Sequence, residues 1–272
     1  MLLITGGNGQ LGTELRALLP QAISVDMPQL DITDSAAVRS FIRENNVDAV
    51  INCAAYTAVD KAEDEPEKCR AVNVDGVRNL AAVGVKVVHI STDYVFDGQG
   101  YRPYVETDPT GPVSVYGITK RDGEIALMET AETCAVIRTA WLYSPYGANF
   151  VKTMRRLGAE REKVSVVADQ IGTPTCASDL ARAIVALLPE IKKGTREIYH
   201  YSNEGVCSWY DFAREIMKLS GLACCVDPIG SDQYPTKAKR PFYSVLNKSK
   251  IKSVGIEVPH WQESLEKCLK KF

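Results

Sequence analysis

Hydrophobic positions in the first half of the chain fall in short, nearly unbroken runs separated by stretches of helical period. Residues 2–5, 22–25, 49–52, 85–90 and 135–137 read as strands, rich in Leu, Ile and Val. Between them, 11–19 (ended by Pro20), 34–45, 67–83 and 114–129 read as helices, with Asp34 placed as an N-cap. The run Val85-Lys86-Val87-Val88-His89-Ile90 is too apolar for a half-solvated strand and suits a strand covered on both faces. Strands alternating with helices predict an α/β fold, a Rossmann-like doubly wound parallel sheet with right-handed crossovers.

The pattern loosens after about residue 147. Gly172-Thr173-Pro174 marks a turn, 178–188 and 209–219 read as helices, 198–201 as a strand, 228–241 as loop, and a last helix follows Pro259. No repeat or low-complexity linker separates the halves. The expectation is a dinucleotide-binding domain over 1–147, to which 176–205 returns, and a smaller α/β substrate-binding lobe made of 148–175 and 206–272.

Composition narrows the function classes. Over 272 residues, 45% are hydrophobic and 24% charged, as in an ordinary globular protein. A net charge of -2 gives no electrostatic grip on nucleic acid or an anionic membrane. No apolar run reaches membrane-spanning length and the N-terminus does not resemble a signal peptide, so a cytoplasmic protein is expected. Eight cysteines without a C-x-x-C pair predict reduced thiols and no zinc site. His89, inside an apolar run, reads as a packed or hydrogen-bonded histidine.

The chemistry starts at Thr5-Gly6-Gly7-Asn8-Gly9-Gln10-Leu11-Gly12, directly after a strand and opening a helix. Gly6, Gly9 and Gly12 permit a tight turn, close approach of a pyrophosphate and close helix–strand packing, while the helix N-terminus offers free N–H groups. Asp26, twenty residues after Gly6, suits a ribose diol, and the absence of Lys or Arg beside it favours NADH over NADPH; it also reads as a turn aspartate before Pro28. Asp31 and Ile32 are placed under the adenine, and Ala54, Ala55 and Tyr56 at a strand end beside the cofactor.

Ser91-Thr92-Asp93 ends the most apolar strand, and Tyr116 and Lys120 follow at i, i+4 on one helical face. A free phenol titrates near 10, so lowering it toward neutrality takes roughly 3 units, or about 4 kcal/mol, which Lys120 is expected to help supply. Tyr116, Lys120 and Thr92 are the candidate catalytic residues.

The glycine turn, Ser91-Thr92 and Tyr116/Lys120 together resemble the extended short-chain dehydrogenase/reductase superfamily. Tyr56-Thr57-Ala58-Val59-Asp60-Lys61-Ala62-Glu63, Ser91 through Gly98 (STDYVFDG), Asp169 through Thr175 (DQIGTPT) and Arg240-Pro241 are similar to the dTDP-4-dehydrorhamnose reductase family. That resemblance implies reduction of the C4 ketone of dTDP-4-dehydro-L-rhamnose by NADPH or NADH, in making dTDP-L-rhamnose for surface polysaccharide. It implies Thr92 and Asp93 at the sugar, Trp141 against it, and Asn149, Gln170 and Arg240 for its polar and diphosphate groups. Trp141 as a core aromatic and Arg240 as an ion-pair partner are the plainer readings. It also implies a homodimer and magnesium at acidic residues, of which Glu14 matches one; Glu14 in a helix's first turn has a dipole explanation too. Tyr94 after Asp93 stands where a related dehydratase has Glu, which argues against dehydration. A 4-epimerase, another 4-ketoreductase, or a non-catalytic regulatory subunit like that of methionine adenosyltransferase are the competing readings.

Overall fold

The computed structural model describes all 272 residues. Six parallel strands form the central sheet: β1 (Leu2–Thr5), β2 (Ile23–Val25), β3 (Ala49–Asn52), β4 (Lys86–Thr92), β5 (Cys134–Thr139) and β6 (Arg196–His200). Their spatial order is β6-β5-β4-β3-β1-β2. The chain runs from β1 outward to β2, then returns to the other side of β1 as β3. That reversal opens a crevice at the carboxyl ends of β1 and β3, where ligands bind in such sheets. The register aligns Thr5 with Asn52, Asn52 with His89, and Thr92 with Thr139, so four strand ends share one edge.

Consecutive side chains on a strand point to opposite faces. Here both faces are apolar. Leu3, Val50, Val87 and Val136 pack with Val38, Leu80 and Leu127 on one side. Ile4, Ile51, Val88 and Ile137 pack with Leu11, Leu15, Leu180 and Ile184 on the other. Each such buried aliphatic side chain contributes about 1.5–3 kcal/mol. This two-sided core explains why the β4 segment is a nearly continuous apolar run, broken only by Lys86 and His89 before its polar end.

Caps set the helix starts. The Asp34 side chain accepts from the amides of Ala36 and Ala37, opening the helix Ser35–Glu44. Ser114 accepts from Gly117 N–H and opens the helix Val115–Thr130. The expected single helix over 67–83 runs from Pro66 to Ala81 but widens to a π-helical turn at Ala71–Asp75. Insertions of that kind occur often at functional sites.

The smaller lobe holds more regular structure than expected. A helix Phe150–Glu160 turns Val151 and Met154 inward, a stripe that its four charged residues obscure in the sequence. Residues Lys163–Val167 form a strand paired in parallel with Cys225–Ile229. Residues 228–229, expected as loop, therefore belong to a strand. Pro228 is tolerated there because a two-stranded ribbon leaves one edge unpaired. A separate core of Tyr143, Val151, Phe212, Ile216, Trp261 and Leu265 holds this lobe together. No helix is long and apolar enough to cross a membrane.

Candidate active site

The crevice between the lobes is a cleft of about 860 Å³. Its floor is the glycine turn. Gly6 has φ +66°, and a Cβ there would lie 2.6 Å from Ala54 N; a Cβ on Gly12 would lie 2.3 Å from Gly6 O. Both positions exclude any side chain, which brings bare backbone N–H groups to the cleft at the start of the helix Gln10–Leu18. This cradle fits a pyrophosphate.

Gly9, Leu11, Ala54, Ala55 and Tyr56 line the same cleft, as do Gln10, Asp26, Asp31 and Ile32. Asp26 Oδ2 accepts from Asn8 N–H at 3.0 Å and Oδ1 from Met27 N–H at 2.9 Å. It thus serves the turn and still faces the cleft. Asp31 Oδ1 closes a local turn by accepting from the Thr33 amide and hydroxyl. Gln10 ties the glycine turn to the 142–149 segment: its Nε2 donates to Leu142 O, and its Oε1 accepts from Asn149 Nδ2 and Ser144 Oγ.

Thr92, Asp93, Tyr116, Lys120 and Trp141 line the other end. The Thr92 hydroxyl donates to Asp93 Oδ1 at 2.9 Å and accepts from Tyr94 N–H. Asp93 is buried and its Oδ2 has no partner. Burial pushes this carboxyl up to about 6, against the hydrogen bond from Thr92. Lys120 Nζ donates to Ile90 O at 2.6 Å and lies 3.3 Å from His89 Nε2. Burial brings the amine down to about 8.

Tyr116 departs from expectation. Burial raises its phenol above the ordinary value; the Thr92 hydroxyl opposes this and Asp93 reinforces it. The phenol therefore holds its proton firmly. That suits a donor, which must enter the reaction protonated.

The remaining expected residues lie outside the cleft lining. Asn149 caps the helix Phe150–Glu160 through its Oδ1, and its Nδ2 donates to Gln10, Ser144 O and Tyr146 O. Its amide is fully employed in the fold. Gln170 Nε2 donates to Ser231 Oγ at 2.9 Å. Arg240 pairs with Asp60 at 2.5 Å and donates to Tyr94 OH at 3.2 Å, so it reaches the cleft only through Tyr94. Glu14 is buried on the first helix. No group of three His, Cys, Asp or Glu side chains could hold a metal ion, so the magnesium expectation finds no support.

Three contributors escaped the sequence reading. Trp209 lines the cleft and stacks on Trp141. Tyr94 meets Tyr116 edge-on, centroids 5.5 Å apart. Asn73, in the π-helical turn, accepts from Tyr56 N–H and donates to Thr119 Oγ1, tying the cleft wall to the Tyr116 helix. The one available signal was Tyr94, which sits inside the motif that carries the resemblance.

The model of the RmlD substrate binding domain family matches residues 1–272. A dTDP-4-dehydrorhamnose reductase of Streptomyces griseus is 46% identical over 97% of this chain and 91% of its own. The chain belongs to the dTDP-4-dehydrorhamnose reductase family. A solved family structure, the reductase of Bacillus anthracis in complex with NADP, superposes with a TM-score of 0.95 at 40% identity, covering 100% of this chain and 99% of the other. A further relative, a dTDP-4-keto-6-deoxy-D-glucose reductase of Streptomyces niveus, is 39% identical over 97% of this chain and 94% of its own.

Proposed function

We propose that this protein reduces the C4 ketone of dTDP-4-dehydro-L-rhamnose to dTDP-L-rhamnose with NADPH or NADH, a step in supplying rhamnose to surface polysaccharide. The observation that carries the proposal is the convergence of Tyr116, Thr92 and Lys120 in the cleft that the glycine turn floors. The Streptomyces griseus and Bacillus anthracis relatives bear the name of this activity.

Residues 1–147, with 176–205, hold the cofactor; 148–175 and 206–272 receive the nucleotide sugar. The glycine turn and the cleft residues beside it would hold a reduced nicotinamide cofactor, which would supply hydride for the C4 carbon. Tyr116 gives its proton to the carbonyl oxygen as negative charge develops there, and the Thr92 hydroxyl donates to the same oxygen. Lys120, on the same helical face as Tyr116, contributes N–H donors to the cleft. Trp141 offers an apolar face to the sugar ring, and Asp93 receives a sugar hydroxyl on its free oxygen. Arg240 acts on the cleft through Tyr94, to whose hydroxyl it donates, and the family resemblance assigns it and Gln170 to the diphosphate side.

Dehydration is disfavoured by Tyr94. In sequence it stands where a related dehydratase has Glu, and a phenol is a far weaker acid than a carboxyl group. The Streptomyces niveus relative supports a second reading, a related 4-keto-6-deoxy sugar as substrate. A panel of 4-keto nucleotide sugars with each cofactor separates the two. The proposal expects dTDP-4-dehydro-L-rhamnose to show the highest kcat/KM and to consume reduced cofactor mole for mole. A product formed without net cofactor consumption would point to an epimerase instead.

A further inference from the structure

Lys120 shares its buried site with His89, which is wholly inaccessible on β4. Their nitrogens lie 3.3 Å apart, and the direction of that contact is decided two residues away. The Ala54 backbone N–H can only donate, and it donates to Asn52 Oδ1 at 3.1 Å. The Thr5 hydroxyl donates to the same oxygen at 2.7 Å. Those two donors orient the Asn52 amide, leaving Nδ2 toward His89 Nδ1 at 3.0 Å. An amide nitrogen carries only protons, so His89 Nδ1 accepts. A neutral imidazole that accepts at Nδ1 carries its proton on Nε2. His89 therefore directs an N–H at Lys120.

An ammonium has three donors and no acceptor; a neutral amine has a lone pair. We propose that His89 is a positioning residue for Lys120: fixed as the Nε2–H tautomer by the Ala54–Asn52 relay, it holds Nζ through the amine lone pair and favours the neutral amine. The Ile90 carbonyl accepts one of the amine's protons and completes the clamp.

The surroundings agree. His89 itself stays neutral, its ring pushed well below the ordinary value by burial and then by Lys120. Around Lys120, Glu124 on its own helix favours the ammonium, as do the thiols of Cys69 and, after β3, Cys53, but burial outweighs all three. Glu124 is also engaged by Ser91 and Arg138. Lys120 thus changes charge near pH 8, within a working range.

His200 gives an internal contrast. Its Nδ1 faces the Tyr104 carbonyl at 3.1 Å and its Nε2 faces an Arg138 N–H, which requires the opposite tautomer, Nδ1–H.

With three histidines in the chain, ring-nitrogen NMR on uniformly 15N-labelled whole protein resolves the matter. Between pH 6 and 9, His89 is expected to stay neutral with Nε2 protonated, while His200 shows Nδ1 protonated. An Nδ1–H or doubly protonated His89 overturns the proposal. The same labelled protein should show a lysine side-chain resonance titrating near pH 8 that is missing in Lys120→Met; no such resonance overturns the effect on the amine. The kinetic arm rests on the reductase reading. In His89→Gln, whose amide can turn its oxygen to the ammonium, the alkaline limb of the kcat/KM profile should move up by about one pH unit, a tenfold change in amine-to-ammonium ratio. An unmoved limb contradicts the coupling. Should the parent lack the activity, the reductase reading fails, and the two NMR results still decide the proposal.

Discussion

The indole of Trp141 lies flat against that of Trp209, ring centroids 3.7 Å apart and planes 12° from parallel. Trp141 adopts φ +49°, a left-handed conformation that costs of order 1–3 kcal/mol outside glycine. Trp209 opens the helix Trp209–Leu219 and packs in turn on Phe150, 4.6 Å away. The core of the small lobe thereby backs a cleft-facing ring on a strained backbone. Removing Trp209 should loosen that ring without touching the cofactor cradle. Trp209→Ala is expected to raise KM for the nucleotide sugar about tenfold, near the 1.4 kcal/mol upper end for an aromatic pair. Cofactor Kd, measured by fluorescence titration, should stay within about twofold.

Asp26 holds a negative charge at the end of β2, beside the glycine turn. It repels a 2′-phosphate and suits a free diol. In Asp26→Asn, the ratio of kcat/KM for NADPH to that for NADH should rise about tenfold, a change of about 1.4 kcal/mol. Steady-state rates with each cofactor check it, and an unchanged ratio removes Asp26 from cofactor selection.

Arg138 and Glu124 form an ion pair at 2.7 Å, both side chains buried beneath the Tyr116 helix. Glu124 also accepts from Ser91 Oγ, and Arg138 lies over the Phe96 ring at 5.1 Å. Glu124→Gln leaves a buried guanidinium without its counter-charge. Such a loss costs about 3–5 kcal/mol, readable as a lower urea midpoint with an unchanged slope.

Asp93 sets a pH dependence of stability. Its carboxyl is raised from 3.8 to about 6, so the folded chain binds this proton more tightly than the unfolded one. Its contribution is fully present at low pH and falls as pH rises from about 4 through 6. Asp93→Asn abolishes that slope. Relative to the parent, the variant should gain up to about 3 kcal/mol between pH 4 and 7, measured by urea unfolding at each pH.

Much of the larger domain was legible in the sequence because one physical demand governed it. A parallel strand covered on both faces must be mostly apolar, and β1, β3 and β4 are, apart from Lys86, His89 and the polar residues at their carboxyl ends. Asp34 declared its helix by capping it. Cleft residues near strand ends, such as Ala54 and Thr92, followed from where such strands end. The smaller lobe answers to tertiary contacts instead. Phe150–Glu160 carries a narrow apolar stripe under many charges, and Pro228 sits in a strand that only its lone pairing partner permits. Trp209 was hidden because no local pattern says which way a ring at a helix start will face. Asn149 shows the converse: its residue type suits a ligand, yet capping and Gln10 occupy all of its amide. Nor could composition show that Tyr116 would be pushed up by its own burial.

The central claim is that Tyr116 delivers the proton. Tyr116→Phe keeps the ring and its contact with Tyr94 while removing the donor. With dTDP-4-dehydro-L-rhamnose and saturating NADPH or NADH, kcat should fall about 10²-fold or more, the scale of a positioned acid, while cofactor Kd stays within about twofold. A Tyr116→Phe enzyme that turns over at the parent rate would contradict the account.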